Sequence, residues 1–319
     1  MARIAVIGAG TMGHAIALVY ALGGHQVRLT DSSPQTLARA QGLMESALAT
    51  LVEGGEAPPD WTSAHLAQAV TRHATLEETV DGAEFIVEAI IETPEAKKAL
   101  FEQLDRCAPA EAVIASNTSQ LDVFPLIPPA RLRRAMITHW YTPPYLVDLV
   151  DVIPAPGCDP AVLEEVEGTL RAMGKQPLRL RKFVPGYVAN RIQGAIGAEV
   201  QALLDEGVAS AAEIDAAIIH GLALRLPVLA VFAKADFTGL ALSQAILRNG
   251  SYTPPPPRRK SETLDRLVEE GRTGVLAGGG YYDWPGDPAK FFESRDRRLI
   301  ALKQAMRSIG TMAGLERDL

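Results

Sequence analysis

The stretch THWYTPPYLVDLVDV, from Thr138 to Val152, places a histidine twelve residues ahead of an aspartate in an apolar run, His139 and Asp151. Histidine is the side chain whose ordinary pKa lies nearest neutrality, so it suits proton removal from a substrate hydroxyl. A carboxylate beside it orients the ring and stabilises the imidazolium. Asp148 lies in the same run, and strand parity puts it on the opposite face from Asp151. Spacing alone leaves either acid as the partner.

A second constellation says what the proton transfer accompanies. IAVIGAGTMGHAIA carries G-x-G-x-x-G as Gly8, Gly10 and Gly13, with Thr11 and Met12 inside the turn. The pattern follows a β-rich run and opens a helical one, the context in which it binds a dinucleotide. The first glycine permits the turn, the second admits a pyrophosphate, and the third packs helix against strand. The helix start then offers free N–H groups to the phosphates. Asp31 ends the next β-rich run, where an acid suits the ribose hydroxyls of NAD and an arginine would suit the phosphate of NADP. The expected cofactor is therefore NAD. Alcohol oxidation then divides naturally: a hydride to the nicotinamide and a proton to His139.

These residues need a scaffold. RIAVIG, HQVRLTD, EFIVEAII, AVIASN and RAMITH read as strands. Between them TMGHAIALVYALGG, SPQTLARAQGLMESALATLVEGG and TPEAKKALFEQLDRCA read as helices, with Ser33 and Thr93 as N-caps. DLVDVIPAP and QPLRLRK add strands around a helix, DPAVLEEVEGTLRAMG. Alternating strands and helices predict a largely parallel sheet covered on both faces. Beyond Val184 the strand signal fades. GYVANRIQGAIGAEVQALLDEGV and SAAEIDAAIIHGLAL each read as one helix, the second with Ser210 and Glu213 as a capping box. TPPPPRRK reads as a loop, and DPAKFFESRDRRLIALKQAMRSIG as a charged amphipathic helix. The expectation is a Rossmann-type α/β domain over residues 1–184 and an all-α domain over 185–319.

Composition narrows the partners. A net charge of −7 argues against a nucleic-acid footprint and an anionic membrane surface. The longest apolar candidate for a span, GLALRLPVLAVFAKADFTGLAL, is interrupted by Arg225, Lys234 and Asp236, so no membrane is expected. Cys107 and Cys158 lie in no CxxC or Cys/His cluster. They read as reduced thiols of a cytoplasmic protein with no metal site.

At this level of detail the chain resembles the L-3-hydroxyacyl-CoA dehydrogenase family over nearly its whole length. The resemblance is carried, in order, by GAGTMGHAIA, IVEAIIETPEAKKALF, ASNTSQL, THWYTPPYLVDLVDVI, VPGYVANRI and GGGYYDW. It implies a Rossmann-type domain followed by a helical domain that forms a homodimer. It implies that His139 is the base and Asp151 its partner, that Ser119 bonds the reacting oxygen, and that Asn190 helps hold the substrate carbonyl. It places Glu92 and Lys97 along the nicotinamide ribose and Asn117 in the loop of Ser119. Ala89, Ile90 and Thr142 complete the expected cofactor wall.

Three departures stand out. Aspartate at 151 replaces the family's usual glutamate and is shorter by one C–C bond, about 1.5 Å. Thr142 replaces an asparagine. From Ala40 to Thr71 there is no lysine or arginine, although family members that take CoA thioesters draw phosphate contacts from that region. The expected substrate is thus a small hydroxy or keto compound, with the acyl-CoA thioester as the family default. A free hydroxy acid or alcohol, of the gulonate, carnitine or pyridine-carboxylate kind, is the alternative. Trp140, Tyr141 and Tyr145 either line an aromatic pocket or pack in the core. A non-catalytic NAD-binding role is the competing class. The β-hydroxyacid dehydrogenases, with a G-x-x-x-K-x-x-N lysine motif, find no match.

Overall fold

The computed structural model describes residues 1–250, 252–257 and 260–312. The chain divides into two compact units, Met1–Ala189 and Asn190–Leu319.

The first unit is built on one eight-stranded sheet. In chain order its elements are β1 (Arg3–Ile7), α1 (Gly13–Leu22), β2 (Gln26–Thr30), α2 (Pro34–Glu53), α3 (Ser63–Ala69) and β3 (Val70–Arg72). Then come α4 (Leu76–Val80), β4 (Phe85–Glu88), α5 (Pro94–Cys107), β5 (Val113–Ser116), β6 (Ala135–Trp140), β7 (Leu149–Pro154), α6 (Pro160–Ala172) and β8 (Gln176–Arg179). The strand order is β3-β2-β1-β4-β5-β6-β7-β8. All pairings are parallel except β6 with β7, which is antiparallel. The strands β1, β4 and β5 are almost wholly buried, as apolar runs covered on both faces must be. The order reverses between β1 and β4, and at such a reversal the helices leave on opposite faces and open a crevice at the strands' carboxyl ends.

Local sequence explains the helix starts. Ser33 accepts the N–H of Thr36 and Pro34 occupies the first turn of α2. Thr93 sits at the N-cap of α5 but makes no side-chain cap bond, a departure from the expected role. EFIVEAII is a strand only to Glu88; Ala89 and Ile90 turn away toward Gly8.

The second unit is helical: α7 (Ala189–Asp205), α8 (Ala211–Ala217), α9 (Leu226–Leu229), α10 (Phe232–Thr238), α11 (Leu240–Asn249), α12 (Glu262–Glu269) and α13 (Pro288–Ile309). Ser210 and Glu213 form a capping box on α8. The single helix expected over SAAEIDAAIIHGLAL is not continuous. It widens to a π-helix over Ile218–Ala223, a stretch that contains Gly221, and α9 then begins with Pro227 in its first turn. TPPPPRRK has no regular structure where it is described; its Arg258 and Arg259 lie outside the described residues. Among the described residues no single helix is long and apolar enough to cross a membrane.

Candidate active site

The glycine turn follows β1. Gly8 adopts φ +99°, a conformation L side chains rarely adopt, and donates its N–H to Thr30 O at 2.9 Å. A Cβ there would lie 2.4 Å from Ala89 O. At Gly13 a Cβ would lie 1.6 Å from Gly8 O, so α1 packs directly on the turn. Gly10 differs: a Cβ would meet no atom within 4 Å, so its backbone presents an open face at the start of α1. Asp31 is held beside it, accepting from Ala9 N at 2.7 Å and Ser33 N at 2.8 Å. An approachable glycine, a helix start and a fixed acid at the end of β2 fit a dinucleotide's pyrophosphate and ribose. Thr11 is exposed and Met12 half-buried on this turn, and Thr142 Oγ1 donates to Met12 Sδ at 3.2 Å.

His14, not foreseen from the sequence, donates from Nδ1 to Gly10 O at 2.6 Å. Burial holds its imidazole below the usual range, against the pull of the Gly10 bond. The ring therefore braces the turn in its neutral form.

The residues expected to handle the proton lie just after β5, near the end of β6 and within β7. The antiparallel register pairs His139 with Asp151 directly across β6 and β7. Both are buried, and Nδ1 lies 3.3 Å from Asp151 Oδ2. A carboxylate accepts, so this bond places the ring proton on Nδ1 and leaves Nε2 to receive one. Ser119 Oγ lies 3.3 Å from Nε2. Asp148 is instead within 3.6 Å of Lys175 Nζ. The register thereby selects Asp151 from the two acids left open by spacing.

Glu92 holds the serine loop. One of its oxygens accepts from Thr118 Oγ1 at 2.6 Å, Ser119 N at 2.6 Å and Gln120 N at 2.9 Å. Burial opposes its ionisation, but these donors together with Lys97 win and keep the carboxyl below its usual range. Lys97 is fully buried, reaching Glu88 at 2.5 Å and Glu92 at 3.2 Å. Glu88 also accepts from Ser116 Oγ and Ile90 N. Lys97 was expected on the cofactor wall; it lies beneath that wall and anchors Glu92, because two carboxylates compete for its ammonium. Asn117 turns its amide oxygen to Trp140 N at 2.9 Å, tying the β5 exit to β6. Ala89 and Ile90 are half-buried at the β4 exit, and Ala89 N donates to Ile7 O. Asn190, the remaining expected site residue, is the second residue of α7 and belongs to the second unit.

The three aromatics divide. Trp140 is core, its ring 5.8 Å from that of Tyr20 and beneath Lys175 Nζ. Tyr141 is at the site, its ring edge-on to His139 at 4.6 Å and its hydroxyl donating to Asp151 Oδ2 at 2.6 Å. Tyr145 is half-buried. Tyr187 was also missed. It is buried at φ 49°, lies 4.8 Å from the His139 ring, and donates to Thr118 O at 2.6 Å. Burial pushes its phenol pKa far up, with Glu92 and Asp151 adding to the shift. Its only signal in the sequence is the preceding glycine in VPGYVANR.

A nucleotide-fitting turn beside a serine, a histidine and a carboxylate, at the carboxyl ends of a doubly wound sheet, defines an NAD-dependent dehydrogenase of hydroxyl groups. Comparison with known proteins agrees. Residues 3–183 match the 3-hydroxyacyl-CoA dehydrogenase NAD binding domain, and residues 186–284 match the C-terminal domain of the same enzymes. The chain belongs to the 3-hydroxyacyl-CoA dehydrogenase family. It is 31% identical to L-carnitine dehydrogenase of Streptomyces griseus, over 95% of this chain and 89% of that protein. It is 30% identical to the lambda-crystallin homolog of Bos taurus, over 70% of each. Among solved structures, the fold is similar to that of an NAD+-dependent 5-formyl-3-hydroxy-2-methylpyridine 4-carboxylic acid 5-dehydrogenase. The TM-score is 0.85 at 24% identity, covering 96% of this chain and 99% of that one.

Proposed function

We propose that this enzyme interconverts a small hydroxy compound and its keto form, with a substrate that carries no CoA. The observation that carries the reaction is the chain Ser119–His139–Asp151, half-buried at the serine and buried at the histidine and aspartate. NAD, when bound, supplies the hydride acceptor. In oxidation His139 Nε2 takes the hydroxyl proton while Asp151 steadies the resulting imidazolium. Ser119, fixed through its backbone N–H by Glu92, bonds the reacting oxygen.

The substrate class rests on charge. The helix α2 carries a single cation, exposed Arg39, and no lysine or arginine follows until Arg72. Phosphate-rich CoA is recognised best by arginine and lysine. The carnitine and pyridine-carboxylate relatives, whose names carry no CoA, support the same choice. The second reading, a 3-hydroxyacyl-CoA substrate, is favoured by the family that both domain matches name.

A homodimer through the second unit is part of the proposal. Helices α10 and α11 expose Phe232, Phe237, Leu240, Ile246 and Leu247, an apolar surface of the kind that marks association. A cytoplasmic location is proposed from the free cysteines Cys107 and Cys158.

The test is NADH consumption with acetoacetyl-CoA, dehydrocarnitine and a set of free keto acids side by side. Turnover of the free compounds alone is expected; efficient turnover of the thioester would replace this substrate class with the second reading. His139→Ala should lower kcat by about 10²–10⁴-fold with NADH still bound. Undiminished turnover in that variant would remove the base assignment.

A further inference from the structure

Two donors converge on one oxygen of Asp151. His139 Nδ1 lies 3.3 Å from Oδ2, and the Tyr141 hydroxyl donates to the same atom at 2.6 Å. The other oxygen, Oδ1, is buried and has no hydrogen-bond partner among the described residues. The carboxylate thus offers a single working acceptor, and the shorter bond goes to the tyrosine.

We propose that Tyr141 is a positioning residue that sets how tightly Asp151 holds the His139 proton. The inference rests on the assignment of His139 and Asp151 as the acid–base pair. Charge-assisted bonds from N–H to carboxylate run about 2.7–2.9 Å, so the His139 contact is stretched. The phenol disperses the carboxylate's negative charge, and what remains to stabilise the imidazolium is smaller. Base strength is thereby moderated without any change of residue at 139. A phenylalanine at 141 would supply the same edge-on ring against His139. The hydroxyl is the part of Tyr141 that packing does not require.

The titratable groups around the imidazole are few. Asp151 faces it from β7, Tyr141 from the residue after β6, and Tyr187 from the segment before α7. Glu92 reaches it through Ser119, and Glu92, Asp151, Tyr141 and Asp122 act on the Tyr187 phenol. Removing the Tyr141 hydroxyl removes its bond to Asp151 and its electrostatic influence on the Tyr187 phenol.

The experiment is a pH titration of the His139 ring nitrogens by NMR on ¹⁵N-histidine-labelled full-length protein, with the resonance assigned by its loss in His139→Gln. It needs no substrate. In Tyr141→Phe the protonation midpoint should move to higher pH by about half to one unit, as the whole of Oδ2 passes to the histidine. Installing 3-fluorotyrosine at 141 keeps the ring and makes a stronger donor, so the midpoint should move to lower pH. A midpoint unmoved by both changes, or moved the other way, overturns the role of Tyr141. Asp151→Asn serves as the control for the pair itself: it should lower the midpoint. An unmoved midpoint in that control would overturn the His139–Asp151 assignment and this inference with it. If the control shifts while the two Tyr141 changes do not, the pair stands and only the tyrosine's part is lost.

Discussion

The two units of this chain handle apolar residues in opposite ways. In the first, strand residues such as Ile4, Val6, Ile86, Ile114 and Ile137 are almost wholly buried, and buried charges are held in networks such as Glu88–Lys97–Glu92. In the second, the buried apolar residues among those described are Ala202, Ile214 and Ile300. Phe232 is 87% exposed and Leu247 82%. The first unit closes its own core. The second leaves large apolar side chains on its surface, the observation on which the proposed homodimer rests. Chemistry that depends on sub-ångström placement is concentrated in the unit that is self-sufficient.

The sharpest way to break this contrast is to remove a charge from the first unit's interior. Lys97→Ala leaves Glu88 buried beside Ser116 without its cation. Breaking a buried pair costs about 3–5 kcal/mol. The expected outcome is a large fall in melting temperature, read by calorimetry, and an unchanged melt would mean that water reaches Glu88. A smaller effect comes from paired glycine changes. Gly13→Ala forces a Cβ onto Gly8 O, so stability falls by about 1–3 kcal/mol and NADH binding with it. Gly10→Ala meets no protein atom, so thermal stability holds while NADH affinity drops, as fluorescence titration would show. Equal losses of stability in the two variants would contradict the open face at Gly10.

The smallest perturbation falls on the second unit. Leu247→Glu on a free surface should change stability by no more than about 0.5 kcal/mol. On a face covered by a second copy it should lower both the melting temperature and the mass measured by light scattering. The latter is expected, with a shift from twice 34.1 kDa toward the single chain. A species that stays at one mass in both proteins would count against the dimer.

The parts of the site legible in the sequence were those set by local backbone chemistry. Gly8, Gly10 and Gly13 were legible as a pattern that follows a strand and opens a helix, and Asp31 needs only to end the neighbouring strand. Of the three glycines, Gly13 meets a constraint within a few residues, while the atom Gly8 must clear, Ala89 O, lies far along the chain. The histidine–aspartate pair was also legible, through residue type and order, and Ser119 through the family resemblance. The rest depended on contacts made across elements. Spacing could not separate Asp148 from Asp151, because only the antiparallel register of β7 decides which acid faces His139. The resemblance placed Lys97 along the nicotinamide ribose, and nothing in IETPEAKKAL reveals that Glu88 waits beneath it. Tyr141 stayed open between pocket wall and core, and Tyr187 was not singled out, because a phenol's partner is invisible until strands and turns are placed. The π-helical stretch was hidden for a similar reason: its apolar spacing suits a helix, and the widening lies in backbone bonding that spacing does not report.

The reversal of β7 has a consequence for how the enzyme assembles. Parallel neighbours in this sheet are joined by long crossovers, so Gly8, Asp31 and Ala89 meet only after helices have folded back between them. His139 and Asp151 are joined by a short connection within a single strand-to-strand return. Loop-closure entropy grows with the length of chain enclosed, so this contact is among the least demanding to form. The acid–base pair is thus a nearly autonomous cassette. Insertions or substitutions in the long crossovers would leave the short return that pairs His139 with Asp151 unchanged.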